Sequence, residues 1–286
     1  FQAAGGELRT EAGVEQILVK NGKVAGVALE NGDEINGNLV VSAMDVKRTF
    51  LDCMDRHDLP DAFHQRVQNF KIRGSSGKLN IALDGLPSFP ALPEGSSLMH
   101  SDMHFIDSME RMERAYDDWK DGTWSQDPYI DMVIPTLNDP TMAPPGKHFM
   151  SCFVQYCPHK IKGRDWTPEE KQAFGETVVN QIANYSPDFK DLILHVEIRT
   201  PQDIEAEIGI TEGNIFHGEL TMDQLLFNRP IPGYAQYRGP VAGLFMCGSS
   251  THPGGGVMAA PGANAAREIL ADLKRPNTVP ENFGDD

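Results

Sequence analysis

The chain has 286 residues, 40% of them hydrophobic, which suffices for one large domain or two ordinary ones with packed cores. Its formal net charge of −16, with no cluster of Lys and Arg, argues against nucleic acid as a partner and against polybasic docking to anionic lipid. No apolar run approaches the roughly 20 residues that span a bilayer, so membrane contact is expected to be peripheral at most; four cysteines without a CxxC pair point to reduced thiols in a cytoplasmic protein.

Residues 1–45 alternate apolar runs with Asn-Gly turns: Val14 to Val19, Asn21-Gly22, Val24 to Leu29, Asn31-Gly32, then Ile35. Asn and Gly tolerate the positive φ that tight hairpins demand, so this segment reads as a three-stranded antiparallel meander. Leu39 to Ala43 is short and almost wholly apolar, as suits a strand covered on both faces in a parallel sheet. Asp45 is placed to cap a helix reaching about Met54, and Pro60-Asp61 to start another reaching about Phe70.

Gly74 to Gly77 reads as a flexible joint, with a second domain beginning near residue 70. That domain opens with the alternating strand Lys78 to Asp84 and a Pro-rich loop from Leu86 to Glu94. A helix over Asp107 to Trp119 is expected to bury Met109, Met112 and Tyr116. Strands follow at Ile130 to Ile134 and His148 to Tyr156, where Cys152 and Cys157, five apart, are expected on opposite faces. Thr167 as cap, Pro168 and two glutamates start a helix that runs to Tyr185. The strand His195 to Thr200 and a short helix after Pro201 complete the domain.

Gly243 to Cys247 reads as a second buried strand. It is followed by the run Gly248-Ser-Ser-Thr-His252-Pro-Gly254-Gly-Gly256, then by a helix from about Gly262 to Leu273 with Ala265, Ala266, Ile269, Leu270 and Leu273 on one face. Glycines let backbone approach a flat ligand closely, and a helix N-terminus presents unpaired N–H groups to negative charge. Residues 276–286 read as a disordered tail. The fold class is therefore α/β plus α+β. An incomplete nucleotide-binding layer, made of the meander and parallel strands, occupies 1–69 and 239–275, and a mixed domain is inserted at 70–238. The parallel strands need neighbours that these residues do not supply.

Four segments carry a resemblance: Gly5-Gly6 followed by Val14-Glu-Gln-Ile17 and Gly26-Val27; Asn138 to Gly146; Gly213-Asn-Ile-Phe-His217-Gly218 with Arg229-Pro230; and Cys247 to Ala266. Over nearly its whole length the chain resembles the phytoene-dehydrogenase-related FAD oxidoreductases of the amine-oxidase-like flavoprotein superfamily, nearest the branch of pyridine nucleotide-disulphide oxidoreductase domain-containing protein 2. The resemblance implies a partial Rossmann-like FAD-binding domain with an inserted substrate domain. It also implies hydride transfer to flavin from a small hydrophobic substrate held between the domains. In that family a GxGxxG turn and an acidic residue hold the adenosine and pyrophosphate. Neither Gly74 to Gly77 nor Gly254 to Gly256 follows the first strand of a βαβ unit, so neither is that turn. The chain is accordingly expected to be a C-terminal fragment, inactive alone and not retaining FAD, with the missing dinucleotide-binding segment as its partner.

By resemblance, Val14 meets the adenine through its backbone, and Gly248 and Ser249 meet the ribityl or pyrophosphate part, Ser249 standing where many relatives carry an acid. Gly254, Gly255, Gly256 and Val257 run along the flavin ring, and Ala260, Pro261 and Gly262 begin a helix aimed at its N1/O2 edge, where the dipole favours the charge of reduced flavin. Hydride transfer asks mainly for placement and water exclusion. His252 and His217 are the catalytic candidates nearest the flavin; in the alternative reading each ring satisfies nearby backbone.

Other groups have competing readings. Arg229, Tyr237 and Arg238 are placed to line the cleft, or in the case of Arg229 to tie a loop by a salt bridge. Trp119, Trp124 and Trp166 suit a pocket or the core. His100-Ser-Asp102-Met-His104, and His57 with His64, lack further ligands at zinc spacing, so no metal is expected. Gly248 to His252 lacks the GxSxG elbow of a serine hydrolase. Two other functions stay open: a non-catalytic module for an apolar ligand or a protein, and a flavin amine oxidase.

Overall fold

The computed structural model describes residues 1–93 and 95–274, and the chain divides into two units, Phe1–Ile72 with Ile215 onward, and Arg73–Asn214. The end of the Pro-rich loop at Glu94 and the expected tail at 276–286 lie outside the described residues. Residues 215–238, which sequence assigns to the inserted domain, group with the first unit. Gln224 ties them there: its amide accepts from the Lys71 N–H at 2.6 Å and donates to the Lys71 carbonyl at 2.8 Å.

In the first unit, β1 (Val14–Lys20), β2 (Lys23–Leu29) and β3 (Glu34–Asn36) form the antiparallel meander. Gly26, at φ +145°, lets β3 approach: a Cβ there would lie 2.1 Å from the Ile35 carbonyl oxygen. After β4 (Val40–Ser42), the Asp45 carboxylate accepts from the N–H groups of Lys47 and Arg48, as a cap should. The helix it starts is only a π turn, Arg48–Asp52, and does not reach Met54. The Cys53 carbonyl accepts from the Ile17 N–H at 2.7 Å, which draws the chain out of the helix and onto the meander. Helix α1 (Asp61–Gln68) buries Phe63 and Val67, four residues apart, with Phe63 edge-on to Phe50.

The second unit is built on β5 (Ser76–Leu83), β6 (Met103–Phe105), α2 (Met109–Lys120), β7 (Tyr129–Val133), β8 (His148–Gln155), α3 (Pro168–Ala183), β9 (Ile193–Arg199) and α4 (Pro201–Ile208). The strands make one antiparallel sheet in the order β6-β7-β8-β5-β9. Leu79, Ile81 and Leu83 of β5 point into a core shared with Phe174, Val178 and Ile182 of α3. Gly74 to Gly77 is not simply a joint. Gly77 lies within β5 under the Phe174 ring, which would stand 2.6 Å from a Cβ, and at Gly74 a Cβ would lie 2.0 Å from the Glu212 carbonyl oxygen.

Two side-chain expectations are corrected. On α2 the buried residues are Ala115 and Trp119, while Met109, in the first turn, is 77% exposed. Cys152 and Cys157 share one core, because β8 ends at Gln155 and its alternation does not extend to Cys157. Burial pushes the Cys152 thiol up to about 12, and Cys157 in the same direction, so both are inert packing groups. The tryptophans are anchors: Trp119 donates to the Gly74 carbonyl and Trp166 to the Pro158 carbonyl, and Trp124 stacks on Trp166 at 5.3 Å.

Back in the first unit, β10 (Leu244–Met246) pairs in parallel with β4, Leu244 opposite Val40 and Met246 opposite Ser42. Helix α5 (Ala260–Leu273) buries Pro261 and Ala265, but Leu270 and Leu273 of its expected core face are 55% and 70% exposed. Two strands of three residues offer α5 too little surface to cover that face. Among the described residues no helix is long and apolar enough to cross a membrane.

Candidate functional site

The segment after β10 is held by main-chain and hydroxyl contacts. The Cys247 N–H donates to the Ser42 carbonyl at 2.9 Å, and Gly248 follows so close to β4 that a Cβ would lie 2.3 Å from the Ala43 oxygen. Ser250 and Thr251 are fully buried. The Ser250 hydroxyl accepts from the Val46 N–H and donates to the His217 carbonyl; that of Thr251 donates to the Gly248 carbonyl. These hydroxyls pin the loop and are not poised as nucleophiles.

Beyond them the chain opens. Gly254 and Gly256 take φ of +117° and +130°, conformations that favour glycine, and Val257 is fully exposed. Ala259 enters α5 at φ +54° with no side-chain cap. Pro261 has no N–H, so Ala260 and Gly262 present the first turn's donors. Gly262 has no neighbouring atom within 4 Å of where a Cβ would stand. An uncapped helix N-terminus thus follows the glycine loop, with free space around the Cβ position of Gly262. This suits a flat, electron-accepting ligand that gains negative charge.

A second loop packs against the first. A Cβ on Gly255 would lie 3.0 Å from Phe216 Cδ1 and 3.2 Å from Phe216 Cα. Arg229 joins the two loops: it is 0% exposed, and its guanidinium donates to the carbonyls of both Phe216 and Ser249. It therefore ties loops, through carbonyl oxygens. Arg238 pairs with Glu268 and Asp272 of α5, and the buried Tyr237 hydroxyl donates to the His252 carbonyl while accepting from Asn264. Val14 opens β1, and its carbonyl accepts from Cys53 Sγ at 3.7 Å.

The histidines do not satisfy backbone through their rings as the alternative reading has it. Nδ1 of His217 and Nδ1 of His252 are both buried without a hydrogen-bond partner among the described residues. The His252 ring stacks on Phe227, centroids 4.8 Å apart. His217 sits at φ +52°, and burial holds its pKa below the ordinary 6.5, with the Arg229 charge acting the same way and Asp45 opposing. A histidine whose folded pKa is depressed binds fewer protons folded than unfolded, so stability falls as pH drops below about 6.5 and levels off below the folded value. Replacing His217 by Asn, which tolerates positive φ, is expected to remove that component. Urea midpoints of parent and variant should run parallel above pH 7 and converge or cross below 6.5; parallel curves down to pH 5 would show that His217 does not titrate this way.

Sequence reasoning missed Lys78. Its face of the sheet, opposite α3, carries a lateral row of His104, Asp131, Phe153, Lys78 and Arg199. The half-buried Lys78 amine donates to the Ser151 hydroxyl, and burial lowers its pKa, with Cys152 and Asp131 opposing. A lysine in the alternation of an otherwise core-forming strand was the available signal. His100 and His104 engage Asn138 and Tyr129, and no cluster of metal-ligating side chains is found among the described residues.

No family model matches the chain. It is 39% identical over 280 residues to pyridine nucleotide-disulfide oxidoreductase domain-containing protein 2 of Rattus norvegicus, covering 95% of the chain and 48% of that protein. It is 27% identical over 277 residues to 4,4'-diapolycopene oxygenase of Methylomonas sp, covering 94% of the chain and 51% of that protein. A solved structure of a redesigned putrescine oxidase shares the fold, with a TM-score of 0.54 at 13% identity over 96% of the chain and 51% of its own. The chain spans about half the length of the curated relatives it matches. Along nearly its whole length the chain is thus similar to pyridine nucleotide-disulfide oxidoreductase domain-containing protein 2 and, more distantly, to carotenoid-modifying oxygenases and desaturases, and it shares a fold with a redesigned putrescine oxidase.

Proposed function

We propose that this chain contributes the ring side of a flavin site, and a substrate-binding unit, to an oxidoreductase that takes hydride from a C–H bond of a small hydrophobic substrate. The observation that carries the reading is the uncapped first turn of α5 opening onto free space at Gly262. The residues fit FAD. Gly254 and Gly256 hold the loop in conformations that favour glycine, Gly255 packs against Phe216, and two buried histidine nitrogens lack partners among the described residues. FAD, when bound, supplies the electron acceptor. The N–H groups of Ala260 and Gly262 then favour the negative charge that arrives, and Gly248 and Ser249 offer backbone where an acid would otherwise reach the ribityl chain. His252 and His217 present ring nitrogens to a polar edge of ligand.

An apolar substrate is supported by what the loops expose. Phe227, 72% exposed, lies on the His252 ring, and Leu226, Val257 and Met258 are exposed in the same two loops. Solvent-facing apolar side chains gathered in loops mark a ligand or partner surface. In the second unit, the sheet face bearing Lys78, Phe149, Phe153 and Tyr129 is the proposed substrate surface.

The test is the visible absorption spectrum, read for the flavin band near about 450 nm. It compares this chain with added FAD against a polypeptide that also supplies a GxGxxG turn. Because these residues hold no such turn, the chain alone is expected to bind FAD weakly and the longer polypeptide stoichiometrically. A longer polypeptide that stays colourless, or one that binds flavin but is never reduced by any apolar substrate, would overturn the reading, the second outcome in favour of a non-catalytic binding module.

A further inference from the structure

Among the described residues the largest fully buried side chain is Arg229. Its five N–H groups all end on main-chain carbonyls: Nε on Gln224 at 2.9 Å, Nη1 on Phe216 at 2.9 Å and Ser249 at 2.7 Å, Nη2 on Gly218 at 2.7 Å and Glu219 at 3.2 Å. None of these carbonyls lies in a strand or an α-helix, and His217 and Gly218 have positive φ, so no regular ladder satisfies them. Buried carbonyls need donors, and a planar guanidinium is the one side chain with five in a fixed fork. Lysine offers three donors from a single point. Burial brings the Arg229 pKa down to about 10, which leaves it charged at neutral pH. Its Nη1 would stand 3.6 Å from a Cβ on Gly254, so that charge sits against the glycine loop.

We propose that Arg229 is a positioning residue: it locks the 216–219 loop and the glycine loop into one rim, and thereby sets the affinity and reduction potential of an anionic, electron-accepting ligand bound over Gly254 to Gly256. The inference rests on the flavin reading of that loop. It differs from a general support of the fold, because the five carbonyls belong to the two loops and their connection and not to the meander or the β4–β10 pair.

The test uses Arg229→Ala and Arg229→Lys in this chain and in the flavin-binding polypeptide. Amide exchange at 216–219 and 248–256 is expected to rise about tenfold or more in both variants while β1 and β2 keep their protection. Flavin affinity is expected to fall about tenfold or more, and any flavin retained by either variant should show a lower reduction potential. Millimolar ethylguanidinium, and not ethylammonium, should restore binding to Arg229→Ala. Unchanged exchange with unchanged affinity, full rescue by lysine, or global unfolding of both variants would each overturn the proposal. If the parent itself binds no flavin, the flavin reading fails; the exchange pattern still decides whether Arg229 locks the loops.

Discussion

Replacing Gly262 by Leu is expected to leave the protein folded, even slightly more stable, and to abolish the flavin binding proposed for the longer polypeptide. Gly262 is the third residue of α5, it has no atom within 4 Å of a Cβ position, and its φ is not positive. Glycine in a helix costs about 0.5–1 kcal/mol relative to good helix formers, so the substitution gains part of that. The new side chain fills the space over the helix N-terminus where the ligand's charged edge is proposed to lie. A loss of about 100-fold in affinity, roughly 3 kcal/mol, is expected. Thermal unfolding and a flavin titration on the same preparations separate the two effects, and stoichiometric flavin in the variant would sink the assignment. Gly255 is the poorer position for this experiment, because the contact with Phe216 makes a larger residue there disturb fold and site together.

Gly248→Ala should do the reverse, destabilising the first unit before any ligand is considered. The added methyl would stand 2.3 Å from the Ala43 oxygen and 3.0 Å from its carbonyl carbon, and neither can rotate away. The Cys247 N–H bond to Ser42 holds the two segments at this separation, so relief means breaking the end of the β4–β10 pairing. A cost on the order of 3 kcal/mol is expected, at the upper end for overpacking. Gly22→Ala is the control. Its φ of +73° brings a strain of about 1 kcal/mol, but no atom lies within 4 Å. A urea midpoint for Gly248→Ala equal to that of Gly22→Ala would refute the close-approach account.

What the sequence by itself determined is what local chemistry decides. The Asn-Gly hairpins of the meander, the Thr167 and Asp45 caps, the alternation in β5 and β8, and the strand, glycine turn and helix of the site each depend on φ preferences, caps or side-chain period within a few residues. Tertiary structure decided the rest. The three-residue edge strand β6 exists because β7 offers it partners, and the helix after Asp45 stops where Cys53 bonds to Ile17. The exposure of Leu270 and Leu273 depends on how much sheet α5 has to cover. Arg229 shows the limit most plainly. As a lone cation before a proline it carries no local signal of burial; its place follows from five carbonyls spread between Phe216 and Ser249, and only the folded chain brings them to one point.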